Sequence, residues 1–251
     1  MRRVLITSGG TVEPIDRVRS VTNHSTGRLG AVIADKFLLE GWFVTYVCTA
    51  GSVKPRAGAN LKTVTVTNVE SVVHELKNLL QETNYNVIVH AMAVSDYSPY
   101  ASLPGDGLAL ACARLVEDRL TGKDLCAAFE NLFNSLAAGR DVPKISSNAE
   151  SLITFMRKTP KVIASLKLWS PDSVLVGFKM LVDAPHERLL KAAHDLIVNN
   201  KCDFVLANDL NSITDTAHTG YLVDQNGVVA TAHTRKTIAG MIYERVNELT
   251  S

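Results

Sequence analysis

Residues 3–41, RVLITSGGTVEPIDRVRSVTNHSTGRLGAVIADKFLLEG, decide the fold. Arg3–Thr7 is a short, β-branched apolar run, the composition of a strand buried on both faces of a parallel sheet. From Gly27 to Glu40 the apolar residues Leu29, Val32, Ile33, Phe37 and Leu38 recur at helical spacing, and Gly41 stands where a C-terminal cap belongs. Strand, long loop and helix, in that order, open an α/β sheet in which ligands collect at the carboxyl ends of the strands.

The same alternation continues outward. Phe43–Thr49 reads as a second strand, Val69–Gln81 as a helix and Asn86–Val94 as a third strand, and two right-handed crossovers set the three strands side by side. From Ser98 to Lys144 the pattern loosens, beginning with Pro99 and Pro104, and contains a helical stretch through Leu125, Phe129, Leu132, Phe133 and Leu136. It resumes with a short strand at Leu152–Met156, a helix opened by Thr159-Pro160, and strands at Val174–Met180 and Phe204–Ala207 separated by a helix from about His186 to Val198. Two alternating runs around Asn226-Gly227 form a hairpin at one sheet edge, and Thr234 caps the last helix. The expectation is an α/β fold: a Rossmann-like parallel sheet with helices on both faces, an inserted region of about residues 97–155 and a C-terminal hairpin, in one domain over 1–251.

Composition narrows the function. A chain of 251 residues with 46% hydrophobic content buries a sizeable core, which excludes intrinsic disorder. The 26 Lys and Arg against 25 Asp and Glu leave a net charge of +1 with no basic run, so no nucleic acid is expected as a partner. No apolar stretch approaches the roughly 18 residues that cross a bilayer, and MRRVLITSGG turns polar too early for a signal peptide; a cytoplasmic protein with no membrane partner is expected. Cys48, Cys112, Cys126 and Cys202 lie far apart without a CxxC pair, so reduced, mostly packed thiols are expected and no metal site.

The loop after the first strand carries the chemistry. Ser8, Gly9, Gly10 and Thr11 form a small-residue turn whose backbone amides would approach a phosphate closely. Asn23-His24-Ser25-Thr26-Gly27 ends at a helix N-terminus, where unpaired amides and the dipole favour an anion; the plainer reading makes Ser25 or Thr26 an N-cap alone. Asn23 either satisfies nearby backbone or donates its amide to a carbonyl oxygen that gains charge during acyl transfer. Arg19 would pair with a phosphate or carboxylate, or remain solvated. The dinucleotide fingerprint GxGxxG is missing, the second strand ends Val47-Cys48-Thr49 with no carboxylate for a ribose, and no GxxxxGK[ST] occurs.

Taken with three later segments, this loop resembles a known family. SGGTVEPIDRVRSVTNHSTGRLG (8–30), HAMAVSDYSP (90–99), KISSNAESLITFMRKTPKVIASL (144–166), and VGFKMLVD (176–183) followed by CDFVLANDL (202–210) are similar to phosphopantothenoylcysteine synthetases. The resemblance implies the monofunctional bacterial form, a ligase that activates 4'-phosphopantothenate with CTP to an acyl-cytidylate. It then forms an amide with L-cysteine and releases CMP and pyrophosphate, with Mg2+ as cofactor. No protein nucleophile is needed, in keeping with the lack of a Ser-His-Asp or Cys-His arrangement. The resemblance further implies a homodimer built through the inserted dimerisation and flap region.

Site roles follow from the same resemblance. Asn23, Lys144 and Arg19 are the catalytic candidates, and Arg19, Asn23, Thr26 and Gly27 hold phosphopantothenate. Gly9, Gly10, Ser25, Ala91, Asp96, Phe178, Lys179, Asn208 and Asp209 are assigned to the nucleotide, with Ala93 in the same strand exit and Asp96 a candidate to position the metal. Where the family carries KxKK on a mobile loop, this chain reads Lys144-Ile145-Ser146-Ser147, one lysine with hydroxyls, and Lys158 or Lys179 would share its work. Two rivals stand beside the ligase: an NAD(P)-binding Rossmann-like oxidoreductase, which the missing fingerprint opposes, and a non-catalytic nucleotide-binding module.

Overall fold

The computed structural model describes residues 1–117, 119–138, 148 and 150–250. Strand β1 (Arg3–Ser8) is followed by a small hairpin, β2 (Val12–Pro14) with β3 (Ser20–Thr22), and then by α1 (Arg28–Leu39), β4 (Phe43–Thr49), β5 (Leu61–Val66), α2 (Val69–Glu82) and β6 (Val87–His90). Next come β7 (Tyr97–Pro104), α3 (Gly105–Glu117), α4 (Gly122–Ala138) and β8 (Leu152–Lys158). The chain continues through α5 (Val162–Trp169), β9 (Val174–Leu181), α6 (His186–Asn200) and β10 (Phe204–Asp209). A 3-10 turn at Leu210–Ser212 leads to β11 (Gly220–Asp224), β12 (Gly227–Ala232) and α7 (Arg235–Thr250).

Two compact units result, one of Met1–Thr11, Asn23–Val94 and Lys161–Ser251, the other of Val12–Thr22 and Ser95–Pro160. The second therefore draws on the loop after β1 as well as on the inserted region.

The first unit is an eight-stranded sheet in the order β12-β11-β10-β9-β6-β1-β4-β5. Its neighbours pair in parallel from β10 to β5, and β11 and β12 add an antiparallel hairpin at one edge. Helices cover both faces, α1 and α7 on one and α2, α5 and α6 on the other, each packed on its own apolar cluster. This is the expected α/β architecture, and the first three strands read from the sequence do lie side by side with β1 between β6 and β4.

Three details differ. Strand β5 was not anticipated, because on this sheet edge Lys62, Thr63 and Thr65 are exposed and no continuous apolar run marks it. The third strand ends at His90 rather than Val94, and beyond it the chain keeps a single parallel bridge, Gly10 to Ala93. Thr159-Pro160 does not open α5: Lys161 occupies the N-cap, and its side chain does not cap the helix. Thr234 does cap α7, its Oγ1 accepting from the Thr237 amide at 3.1 Å.

In the second unit β7 and β8 pair antiparallel, with an irregular register between Pro99 and Ala101, and α3 and α4 pack on β7. Pro99 and Pro104 remove backbone donors, which a two-stranded ribbon with open edges tolerates.

Among the thiols, Cys48 and Cys202 are buried as expected, whereas Cys126 on α4 is exposed. No helix among the described residues is long and apolar enough to cross a membrane.

Phe37, fully buried, meets Trp42 and Tyr243 edge-on with ring centroids 5.1 and 5.4 Å away, joining α1, β4's approach and α7. Phe37→Ala removes that centre, and chemical denaturation should show a loss of about 3–5 kcal/mol. A loss under about 1 kcal/mol would mean that the α1–α7 face does not depend on this cluster.

Candidate active site

In the first unit the loop that follows β1 runs along the exit of β6. Past Ser8 the chain stays paired with the exit of β6: the Ala93 amide donates to the Gly9 carbonyl at 2.8 Å and the Thr11 amide to the Ala93 carbonyl at 3.2 Å. Gly9 and Gly10 are consequently buried, not the open amide cradle that the sequence suggested. Gly10 is needed for close approach, since a Cβ there would run into the Asn23 carbonyl oxygen. The segment before α1 is thereby pressed onto the strand exits, and the Asn23 side-chain amide donates across to the Ala93 carbonyl at 3.4 Å while the side chain remains exposed.

The start of α1 is fixed just as closely. Gly27 is the N-cap with φ +74, so neither Ser25 nor Thr26 occupies that position, although Thr26 Oγ1 accepts a long bond of 3.4 Å from the Arg28 amide. Ser8 Oγ donates to the Gly27 carbonyl at 3.1 Å. From β4's exit the Val53 amide donates to the Thr26 carbonyl at 3.0 Å, and Tyr46 donates its hydroxyl to the Val53 carbonyl at 2.9 Å. Burial pushes the Tyr46 phenol up to about 12, so it stays a donor.

Strand alternation sorts the remaining candidates. Phe178 packs toward the α1–α7 face, and Asn208, two residues past core residue Leu206, shares that face at the end of β10. Lys179 and Asp209 fall on the opposite face, so Phe178 and Lys179 do not flank one ligand from the same side. Asp209 also has local work: its carboxylate accepts from the Ala184 and Asn211 amides at 3.0 and 2.8 Å, and those bonds hold its pKa below the usual carboxylate value.

Arg19 and Asp96 belong to the second unit. Arg19 pairs with the buried Asp16, donating Nη2 at 2.6 Å and Nε at 3.1 Å to Oδ2, so a carboxylate of the chain itself already orients it. At Asp96 the backbone carbonyl accepts from the Thr159 amide at 3.0 Å. Lys144 lies outside the described residues.

One residue here escaped the sequence reading. His90 ends β6 buried, its Nδ1 2.8 Å from Thr7 Oγ1, and the Met92 amide is 3.3 Å from the same oxygen. The amide donates, so Thr7 Oγ1 is its acceptor, and the same hydroxyl shares a second hydrogen bond with the imidazole. Burial lowers the His90 pKa to about 4, which keeps the ring neutral. Thr7 and His90 thus hold the backbone at Met92, the residue before Ala93. A histidine closing an otherwise apolar strand was the available signal.

Comparison with known proteins sets this geometry in context. Residues 1–104 match the family described as DNA/pantothenate metabolism flavoprotein C-terminal domain. The crystal structure of the DNA/pantothenate metabolism flavoprotein from Streptococcus pneumoniae is 32% identical with a TM-score of 0.83, covering 99% of this chain and 100% of that one. The coenzyme A biosynthesis bifunctional protein CoaBC of Methanocaldococcus jannaschii is 27% identical over 98% of this chain and 51% of its own length. The chain thus spans about half the length of the curated relatives it matches over nearly all of its residues. A structure of the Cab2 mutant H337A in complex with phosphopantothenate-cysteine shares the fold at 19% identity, with a TM-score of 0.67 over 98% of this chain and 87% of that one.

Two measurements test the packing of this edge. In an open helix Gly→Ala gains about 1 kcal/mol, but at Gly30 the new Cβ would overlap the Ser8 side chain, and overpacking costs about 1–3 kcal/mol. Gly30→Ala should therefore lower stability in chemical denaturation; a gain would show that Ser8 yields freely. For His90 the folded ring titrates at about 4 against an ordinary 6.5, so between those values the unfolded chain binds more protons and stability falls as the pH drops from about 6.5 toward about 4. His90→Phe should flatten that slope in urea midpoints, and equal slopes would remove His90 as the linked group.

Proposed function

The chain belongs to the DNA/pantothenate metabolism flavoprotein family, and from that premise we propose that it is a phosphopantothenate–cysteine ligase. The observation that carries the reading is the exposed Asn23 amide anchored beside the Ala93 carbonyl, at the edge of the sheet where the first and third apolar strands end. In the first step a carboxylate oxygen of 4'-phosphopantothenate attacks the α-phosphorus of CTP, the bond to pyrophosphate breaks, and an acyl-cytidylate forms. In the second the neutral amine of L-cysteine attacks the acyl carbon, CMP leaves with the electron pair of the broken C–O bond, and the amine's proton passes to solvent.

Such chemistry asks the protein for position and charge neutralisation rather than for a nucleophile. Asn23 donates to the acyl oxygen as it becomes an oxyanion. The amides that open α1, with Ser25, Thr26 and Gly27, take an anionic group. Phe178, Asn208 and Ala91 serve the nucleotide, Gly9 and Gly10 hold the backbone that presents Asn23, and Arg19, already oriented by Asp16, takes an anionic group of phosphopantothenate. Lys144 neutralises triphosphate charge.

Mg2+ fits as an ion carried by the nucleotide: among the described residues no group of three His, Cys, Asp or Glu is placed to hold a metal. Mg2+ ordinarily binds through one or two carboxylates plus substrate phosphates, and Asp96 is the carboxylate proposed here. A homodimer and a cytoplasmic setting belong to the same reading.

Pyrophosphate release that requires CTP, phosphopantothenate and Mg2+ together, with amide appearing only when cysteine is added, is the expected result, and ATP in place of CTP sets the nucleotide preference. A reduced-nicotinamide signal on titration, or nucleotide binding without turnover, would replace the ligase with an oxidoreductase or a binding module. Asn23→Asp should slow amide formation by about 10²-fold, the scale of losing one oxyanion donor, while thermal stability stays within about 0.5 kcal/mol, as for other exposed sites. Unchanged turnover would take Asn23 out of the mechanism.

A further inference from the structure

His218 is 4% exposed, and neither of its ring nitrogens has a hydrogen-bond partner among the described residues. Buried polar groups in folded proteins are nearly always paired, and an orphan calls for a reason. Its surroundings supply one. His218 bridges Ile213 across the loop that joins the 3-10 turn to β11, and its amide donates to the His233 carbonyl at 2.9 Å. A Cβ at Gly220, two residues on, would touch Leu206 and Ile238, so alternation puts His218 on the sheet face that α1 and α7 cover.

On that face the imidazole is one strand from Asn208 and two from Phe178, further toward the carboxyl edge than either. The ladder pairs Ala207 with Tyr221 and Leu206 with both Leu222 and Phe178, so Asn208 falls opposite Gly220, two residues from His218, and Phe178 level with Leu222, four residues from it. The same loop is tied to the first turns of both covering helices. Arg28 pairs with Asp215 at 2.9 Å, and Arg235 donates to the Thr214 and Asp215 carbonyls at 2.8 and 2.9 Å. The Arg28–Asp215 side chains are 52% and 92% exposed, so their attraction is screened and gives way readily to a ligand. Burial and the nearby Arg235 charge keep the ring neutral, with one nitrogen a donor and the other an acceptor.

We propose that His218 is a nucleotide-recognition residue, its imidazole pairing with the nucleoside end of the nucleotide that the carboxyl edge of the sheet takes up beside Phe178 and Asn208. This rests on the nucleotide-dependent reading above. A neutral donor–acceptor ring suits the amide-like edges of a base, and not a phosphate, which would select a cation.

Calorimetric titration of the whole chain with CTP, CMP and inorganic triphosphate, before any turnover, is the test. His218→Leu should weaken CTP and CMP at least tenfold, leave triphosphate within twofold, and raise the thermal midpoint, because an unpaired polar group has been removed. His218→Gln, which keeps a donor and an acceptor, should recover part of the binding. In the wild-type protein, labelled with 15N-histidine, the ring signals that His218→Gln deletes should shift when CTP is added, a readout that needs no apolar variant to fold. Unchanged CTP binding by folded His218→Leu, or ring signals that CTP does not move, would overturn the proposal. Wild-type protein that binds neither CTP nor ATP would instead overturn the functional reading beneath it.

Discussion

Everything at the candidate site depends on backbones meeting where side chains would keep them apart. Gly10 lets the Asn23 carbonyl lie on the β1 exit, and Gly30 admits the Ser8 side chain between the first turn of α1 and the sheet. Ser8 uses that proximity to donate to the Gly27 carbonyl, so the same residue that fills the gap also fastens it. The anchored segment then needs few further contacts: Val53 holds Thr26 from one side and Ala93 holds Asn23 from the other. A site assembled this way is set by main-chain geometry, which tolerates little displacement, and that suits a reaction whose difficulty lies in alignment.

Much of the fold was legible in the sequence because its central strands are buried on both faces. VLIT, VTYV, VIV and VLVG are runs that only such an environment explains, and α1's apolar spacing marked its helix. The edge strand β5 was not legible for the converse reason: half of it meets solvent, so its Thr and Lys residues read as loop. In the second unit, Pro99 and Pro104 hid β7, since proline argues against a strand except where donors are dispensable.

The site was legible by segment and less so by face. Motif order brought Asn23, Ala93, Phe178 and Asn208 to one sheet edge, but Phe178 and Lys179 were read together although adjacent strand residues point apart. Gly9 and Gly10 were read as amides open to phosphate, whereas they are covered because the strand pairing runs on past Ser8. His90 is marked in the sequence only by closing an apolar strand, and His218 by nothing; the importance of both is in burial, which a single sequence does not display.

The position of β1 also shapes how the chain acquires its structure. It is made before its partners, yet it sits between β4 and β6, and the neighbouring β6–β9 pair joins Val87 to Val174 across the whole inserted segment. Loop closure over such separations is slow, and parallel pairing has no short hairpin to begin from. Both partners of β1 are complete by His90, but the far edge of β6 stays unpaired until Val174–Leu181 has been made, and that open edge makes the nascent chain a client for holdase chaperones during the interval.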